Sequence, residues 1–264
     1  MTTFICWKWQ SAAYRVTFTA EHVNALVDML AQHCSAPHDV LCITDDPAGV
    51  KCRTYPMWDD LANLANPCQT PGSKSLPSCY RRLKIFDPAV TKAMGFEPGA
   101  PLVSIDLDCV IMADIVPILR KHEQSDFCGW RALAGFAWKQ PWYFHGSIWR
   151  FKAGKLPFLW SEFSPAATPR ITQQLGFYGS DQAWITMRIG KNFPGWQRED
   201  GIAAFNMSAF GVRSHLGTAP PSGTRIVFFN GFHKPWDETV RARWPWIKQY
   251  WPPQKPVAER ANLV

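Results

Sequence analysis

The sequence predicts an α/β protein built around a doubly wound sheet. Its first strand is the apolar and aromatic run at residues 3–9, and apolar residues then recur at helical spacing between Val23 and Leu30. A second apolar strand at 39–46 ends in acidic residues. A strand, a helix and a strand within about 40 residues are typical of the start of such a sheet.

Shorter elements follow in the rest of the chain. Residues 59–78 are rich in Asn, Pro, Gly and Ser and predict a loop, which leads into the short helical segment CYRRLKIF. The apolar segment 109–119 contains Asp114 and Pro117, so it cannot form one continuous helix. Buried or short strands are predicted at 101–105, 126–129, 146–151 and 225–229, and a helix at 180–189.

Size and composition favour one folded domain. The chain has 264 residues, of which 47% are hydrophobic and 19% charged, a balance typical of globular proteins. No apolar stretch approaches the ~20 residues of a membrane helix, and the first residues lack a secretory signal pattern, so we expect a cytoplasmic protein with reduced cysteines. The net charge of +7 favours anionic partners such as nucleotides, nucleic acid or phosphorylated acceptors.

Two aspartates directly follow the predicted strand at 101–105. Side chains alternate along extended backbone, so Asp106 and Asp108 project to the same face. At the carboxyl end of a central strand they face the crevice where open α/β sheets bind ligands. A hard divalent cation that also binds phosphate oxygens fits this pair. The alternative is that the two carboxylates merely cap a turn.

Six segments in order carry a family resemblance. They are the first strand ending in Trp7, Lys8 and Trp9, followed by SCYRRLKIF, IDLD, HGSIWRF, GSDQAWI and NGFHKPWD. Together, across residues 4–237, they resemble the nucleotide-sugar-dependent glycosyltransferases of the A-type fold, within them the family 8 galactosyltransferase and glycogenin-like group. The resemblance implies a single Rossmann-like domain with a mixed, mostly parallel central sheet. We assign residues 1–250 to this catalytic domain and 251–264 to a C-terminal tail.

The resemblance also implies roles for individual residues. Asp106, Asp108 and His233 resemble the ligands of a Mn²⁺ or Mg²⁺ ion, and Lys234 resembles a contact to the donor phosphates. Asp181 and Gln182 resemble the catalytic pair beside the transferred sugar. The other implied donor-binding residues are Trp7, Lys8, Trp9, Thr44, Asp45, Arg82 and Leu107. The alternatives are a helix N-cap for Asp181, a buried structural histidine for His233 and solvated cations for Arg82 and Lys234.

The sequence departs from the family pattern at two places. His233 and Lys234 are contiguous here, whereas the family usually has a longer, glycine-containing gap between the late histidine and Lys-Pro-Trp. The first strand runs into Trp-Lys-Trp instead of a turn of small residues. The position of His233 relative to a metal, and the way a nucleobase is held, therefore stay open.

The predicted activity is metal-dependent transfer of a sugar from a nucleotide-diphosphate sugar, a UDP-sugar in the first instance, to an acceptor hydroxyl. The resemblance implies retention of the anomeric configuration, by front-side attack or through a transient enzyme nucleophile, for which Asp181 is the candidate and Gln182 the alternative. An inverting enzyme would instead use a carboxylate as a base on the acceptor hydroxyl. The acceptor is a cell-surface glycan or a modified DNA base, as for some bacteriophage enzymes. An acceptor site is sought first among Trp138, Trp142, Tyr143, Phe144 and Trp149. The alternative from another class is a non-catalytic nucleic-acid-binding or sugar-binding protein on the same fold.

Overall fold

The structure is a computed structural model that describes residues 1–11, 16–66, 78–131, 142–177, 179–205, 219–231 and 233–251. Three predictions fall partly outside these ranges. They concern Trp138 of the proposed acceptor group, residues 67–77 of the predicted loop and residues 252–264 of the predicted tail. Within the described ranges no helix has the length and apolar character needed to cross a membrane, and no disulfide bond links the cysteines.

The six predicted strands are present and begin and end close to the predicted positions. The strands of the described residues are β1 (Thr2–Lys8), β2 (His38–Thr44), β3 (Arg53–Pro56), β4 (Pro101–Ile105), β5 (Cys109–Ile111), β6 (Phe127–Arg131), β7 (Phe144–Lys152), β8 (Gly195–Trp196), β9 (Ile202–Ala204) and β10 (Ile226–Phe228). The short strands β3, β5, β8 and β9 are not among those that the sequence predicts.

Seven of the described strands form the central sheet, in the order β3-β2-β1-β4-β7-β6-β8. Strands β1 to β4 run parallel to one another, β7 runs antiparallel to both of its neighbours, and β8 runs parallel to β6. This confirms the predicted mixed, mostly parallel sheet. A smaller sheet in the order β5-β10-β9 brings the chain after β10 beside the end of β4, where Phe229 N donates to Asp108 O over 2.8 Å.

Helices cover both faces of the central sheet. They are α1 (Ala20–His33), α2 (Pro88–Ala93), α3 (Val116–Arg120), α4 (Phe158–Ser161), α5 (Thr168–Gln174), α6 (Asp181–Ile189), α7 (Glu238–Arg243) and α8 (Trp246–Tyr250), with 3-10 helices at Tyr80–Phe86 and Arg198–Asp200. The predicted helical segment CYRRLKIF is thus a 3-10 helix. The prediction that 109–119 is not one continuous helix is confirmed, because β5 ends at Ile111 and α3 begins at Val116. Pro117 lies in the first turn of α3, where a proline is tolerated.

The alternation of side chains along β1 separates two hydrophobic cores. Phe4 and Cys6 pack into the core that contains the apolar face of α1, whereas Ile5 and Trp7 pack into the core on the opposite face. Burial on both faces is the hallmark of a doubly wound sheet. Trp251, the first residue of the predicted tail, is buried beside Trp236, so the packed body extends to this residue.

Candidate active site

A cavity of about 360 Å³ opens at the carboxyl ends of β1 and β4. Open α/β sheets bind their ligands at this edge. Residues singled out from the sequence that line it are Trp7, Trp9, Arg82, Asp106, Leu107, Asp108, Asp181, Gln182 and Lys234. The cavity is also lined by residues for which the sequence predicts no role, namely Val16, Phe18, Asn66, Cys79, His145, Gly146, Gly179, Ser180 and Gly231.

The two aspartates enter the cavity because the chain stays extended beyond β4. Asp106 N donates to Ser147 O over 2.9 Å and so continues the pairing with β7. The intervening Leu107 is buried, and both carboxylates line the cavity. This is the arrangement that alternation of side chains predicts for the pair.

Arg82 joins the first aspartate to the predicted catalytic pair. The 3-10 helix presents its buried guanidinium to the cavity, where Nη1 donates to Asp106 Oδ1 over 2.8 Å and Nε donates to Asp181 Oδ2 over 2.6 Å. The guanidinium carbon lies 5.1 Å from the ring centre of Trp149, a cation–π distance. The planar fork of an arginine suits such a bridge, because its donors point in several fixed directions.

The environment of Asp106 shifts its protonation equilibrium. Enclosure within the cavity raises the pKa of Asp106 to about 6, although the Arg82 guanidinium acts in the opposite direction. The nearby carboxylate of Asp108 raises the pKa of Asp106 further. As the pH falls from neutral, this carboxyl group therefore takes up a proton before an ordinary aspartate does.

Lys234 neutralises the second aspartate. The Nζ of Lys234 forms an ion pair with Asp108 Oδ2 and also donates to Phe229 O over 3.0 Å. Both side chains of the ion pair are buried. The main chain is fixed as well, because Lys234 N donates to Asp237 Oδ2 over 3.0 Å. The predicted phosphate-contacting lysine is therefore in the cavity, held on a carboxylate.

The first turn of α6 contributes Asp181 and Gln182. Gln182 Oε1 accepts a hydrogen bond from Gly146 N over 2.8 Å, and its Nε2 lies 3.4 Å from Tyr143 Oη as a donor. Asp181 is only 2% exposed and is ion-paired to Arg82. The cavity thus holds a fixed carboxylate next to a fixed carboxamide.

Three predicted donor-binding residues lie outside the cavity lining. Lys8 is buried, and its Nζ donates to Thr44 Oγ1 over 3.3 Å and to Asp46 O over 2.6 Å. Asp45 is exposed and accepts a hydrogen bond from Gln10 N over 2.9 Å. Their role in donor binding stays a prediction.

The structure does not bring His233 to the two aspartates. Its ring lies 6.3 Å from that of Phe205 and 6.0 Å from that of Trp244, outside the residues that line the cavity. Among the described residues, no group of three or more His, Cys, Asp or Glu side chains is arranged to hold a metal ion. Asp106 and Asp108 offer the hard oxygen ligands that Mn²⁺ or Mg²⁺ prefers, so they fit such an ion only as part of a set completed by a ligand's own oxygens.

The structure adds His145 to the site. This residue lies at the start of β7 and lines the cavity, and its Nδ1 is 3.3 Å from Ser147 N. Burial lowers the pKa of His145 to about 4, although Asp108 acts in the opposite direction. Its ring packs against Trp130 with 4.8 Å between centres. No local pattern in HGSIWRF distinguishes this histidine, because the cavity wall that it joins is built by distant segments.

Most of the aromatic group considered for acceptor binding lies in the core. Tyr143, Phe144 and Trp149 are each about 1% exposed. Trp142 is partly exposed and lines a separate hollow with residues of α6. Trp149 instead packs against the guanidinium of Arg82.

Comparison with solved structures defines the fold as the A-type glycosyltransferase fold. The galactosyltransferase LgtC, solved with donor and acceptor sugar analogues, superposes with a TM-score of 0.58 at 12% identity, over 99% of this chain and all of that chain. The bifunctional glycosyltransferase WbbM gives 0.56 at 14% identity, over 90% of this chain and 47% of WbbM. GlyE of Streptococcus pneumoniae gives 0.54 at 12% identity, over 95% and 62%. Neither a protein-family model nor a curated protein matches the sequence.

Proposed function

We propose that this protein transfers a sugar from a nucleotide-diphosphate sugar to an acceptor hydroxyl. The observation that carries the proposal is the single cavity wall shared by Asp106, Asp108, Arg82, Asp181, Gln182 and Lys234. These side chains come from four separate parts of the chain, and they meet at the edge of the sheet where this architecture binds ligands. Residues 1–250 form the catalytic domain in this proposal.

Two cations serve the leaving diphosphate. When the bond between sugar and diphosphate breaks, negative charge develops on the diphosphate oxygens, and positive groups in a water-poor site lower the energy of that state. Lys234 and Arg82 are buried and fixed by hydrogen bonds, so they need little reorganisation to act. A divalent ion held by Asp106 and Asp108 would add Lewis-acid stabilisation of the same oxygens.

Asp181 and Gln182 bind the sugar that is transferred. Arg82 sets the direction of the Asp181 carboxylate, and Gly146 N sets that of the Gln182 carboxamide. One of the LgtC structures is of an active-site glutamine-to-glutamate mutant, which supports a role for a glutamine at such a site. We propose retention of anomeric configuration, with the acceptor hydroxyl attacking from the face that the diphosphate leaves.

Nucleobase binding falls to the aromatic end of the cavity. Trp7 and Trp9 line the cavity, and the indole Nε1 of Trp7 donates to Ser104 Oγ over 2.8 Å, which fixes the ring. Indole faces stack on bases without strong sequence preference. We propose a uridine nucleotide as the donor to test first, on the resemblance described above.

The charge of the described lining favours a glycan acceptor over DNA. Three carboxylates (Asp106, Asp108 and Asp181) face two cations (Arg82 and Lys234), so the described lining of the cavity carries no excess of positive charge. DNA binding relies on lysine and arginine side chains that neutralise backbone phosphates. A neutral or weakly charged saccharide hydroxyl has no such requirement.

The test is thermal stabilisation by UDP, GDP, ADP and CMP and their sugars, with and without Mn²⁺. One nucleotide is expected to raise Tm by about 5–10 °C at 100 times its Kd. Asp108→Asn is expected to lose that shift. The matched control is Asp126→Asn, which should bind the nucleotide normally, because Asp126 pairs with Lys152 at the end of β7 away from the cavity.

Sugar transfer is then measured with the stabilising donor and two acceptor sets, soluble oligosaccharides and DNA containing hydroxymethylated bases. Product with oligosaccharides alone supports the glycan acceptor, and product with DNA alone contradicts it. No stabilisation by any nucleotide would sink the transferase proposal. Binding of DNA that weakens with salt, without nucleotide binding, would instead favour a nucleic-acid-binding protein on this fold.

A further inference from the structure

The Lys234–Asp108 ion pair occupies one of the two carboxylates that a metal ion would need. Lys234 is 7% exposed and Asp108 is 9% exposed, so water competes little for either charge. The ammonium group is also held by Phe229 O at 3.0 Å. In this structure Asp108 is therefore engaged by a resident cation.

The second carboxylate is engaged as well. Asp106 Oδ1 accepts from Arg82 Nη1 at 2.8 Å, and the same guanidinium binds Asp181. A divalent ion that entered alone would have to displace a buried cation or lie next to it, and like charges a few ångströms apart repel strongly in a site of low dielectric. The described residues also supply no third His, Cys, Asp or Glu ligand beside the pair.

A diphosphate both releases Asp108 from Lys234 and supplies the missing metal ligands. Its oxygens accept hydrogen bonds from an ammonium group, so Lys234 gains a new partner and Asp108 is released. The same oxygens complete the coordination of a hard ion, since Mg²⁺-type sites commonly combine one or two carboxylates with substrate phosphates. The two charges of the incoming diphosphate also offset those of the ion.

We infer that Lys234 controls the metal site: Asp108 becomes a metal ligand only when a diphosphate takes over the lysine ammonium, so metal and donor bind together. This inference rests on the proposed function, which identifies the diphosphate as that of a nucleotide-sugar donor. It assigns Lys234 a second role, that of excluding free metal ions from the site between turnovers.

The experiment compares metal-only stabilisation of the wild type and of Lys234→Met. In EDTA the variant is expected to melt about 5–10 °C below the wild type, because Asp108 is left as an unpaired buried carboxylate. Mn²⁺ without nucleotide is expected to raise the Tm of Lys234→Met by about 3–8 °C and to leave the wild type unchanged. UDP or inorganic pyrophosphate together with Mn²⁺ is expected to stabilise the wild type.

Two variants serve as controls. Lys8→Met removes another buried lysine, which is paired with Asp46 outside the cavity lining, so it should lose stability without recovery in Mn²⁺. Adding Asp108→Asn to Lys234→Met should abolish the Mn²⁺ recovery. If Lys234→Met does not fold, Mn²⁺ binding to the wild type is measured instead, from the electron paramagnetic resonance signal of free Mn²⁺. The signal of free Mn²⁺ should persist when wild-type protein is added without nucleotide. When UDP is also added, the signal should fall further with the wild type than with the Asp108→Asn variant.

Three results would overturn the inference. They are stabilisation of the wild type by Mn²⁺ alone, absence of Mn²⁺ recovery in Lys234→Met, and full stabilisation by UDP in EDTA. A different result would separate this inference from the proposed function. No nucleotide stabilises the protein in that case, but Mn²⁺ still restores Lys234→Met and the wild type still binds pyrophosphate with Mn²⁺. This would contradict the proposed donor and support control of the metal site by Lys234.

Discussion

Arg82 donates from Nε to Asp181 Oδ2 over 2.6 Å, although 99 residues separate the two in the chain. Because Nη1 of the same arginine binds Asp106, one guanidinium aligns the aspartate after β4 with the first turn of α6. Removing it leaves two carboxylates facing each other across the cavity. The geometry of the site therefore depends on a residue of the 3-10 helix that need not touch the sugar.

Arg82→Met is expected to lower the free energy of unfolding by about 3–5 kcal/mol, because it removes the cation of a buried ion-pair network and leaves the carboxylates without their partner. Arg82→Lys keeps the charge but cannot span both carboxylates, so it should be less destabilising and still impair nucleotide-sugar turnover at least about tenfold. Urea unfolding and turnover are the measurements. Arg53→Met is the control, since it removes the exposed Arg53–Asp39 pair, which should contribute about 0–1 kcal/mol. Equal stability of Arg82→Met and this control would contradict the prediction.

Gln182→Glu is expected to separate binding from folding. A glutamate oxygen still accepts the hydrogen bond from Gly146 N, so the unfolding free energy should change by less than about 1 kcal/mol. The added negative charge lies beside Asp181 and near the donor diphosphate, so nucleotide Kd should rise about tenfold, equivalent to about 1.4 kcal/mol. Calorimetric titration measures this. Gln174→Glu on the exposed side of α5 adds the same charge away from the cavity and should bind normally; equal affinity of the two variants would refute the role of Gln182.

Gly146→Ala is expected to disturb the site without disturbing the core. A Cβ at this position would lie 2.9 Å from Gln182 Oε1 and 3.1 Å from Arg82 Nη2, so both side chains must shift. Turnover should fall at least about tenfold, the effect of misplacing two site groups by a fraction of an ångström. Gly129→Ala is the comparison, because its Cβ would meet the Phe144 and Phe127 rings instead. That variant should lose stability and keep the wild-type turnover, whereas similar turnover of the two variants would argue against the prediction.

The local part of the site was predictable from sequence because it depends on short-range periodicity. Asp106 and Asp108 follow a buried strand, and extended backbone places them on one face. The same alternation separates Lys8 from the two tryptophans beside it, although the family resemblance assigns all three to donor binding. Trp7 and Trp9 point into the cavity, so Lys8 between them points to the other face, where it binds Thr44 and Asp46.

The long-range part was not predictable in the same way. Lys234 and Asp108 are 126 residues apart, and their pairing follows from the position of β10 beside β5. His233 precedes Lys234 in the chain, yet it packs near aromatic rings while the lysine enters the cavity. A motif match assigns both residues to one site, but the side chains of neighbouring residues leave the backbone in different directions.

His145 predicts a pH dependence of stability that a variant can isolate. Burial lowers its pKa to about 4, against about 6.5 in an unfolded chain. Between these values the unfolded state binds the proton and the folded state does not, so this residue's contribution to stability is present above pH 6.5 and is lost as the pH falls towards 4. Asp106 acts in the opposite direction, because its pKa of about 6 lets the folded state bind the proton first.

The difference between wild type and His145→Asn removes the shared contribution of Asp106. An asparagine oxygen accepts the hydrogen bond from Ser147 N that Nδ1 accepts in the wild type, and it does not titrate. The wild type should therefore lose stability relative to the variant as the pH falls from 6.5 to 4, measured as Tm in matched buffers. His33→Asn, on the partly exposed last turn of α1 and outside the cavity lining, is the matched control for the substitution itself. A constant difference between wild type and His145→Asn over this range would mean that the imidazole is protonated with equal ease in both states, and hence that the cavity wall does not exclude its charge.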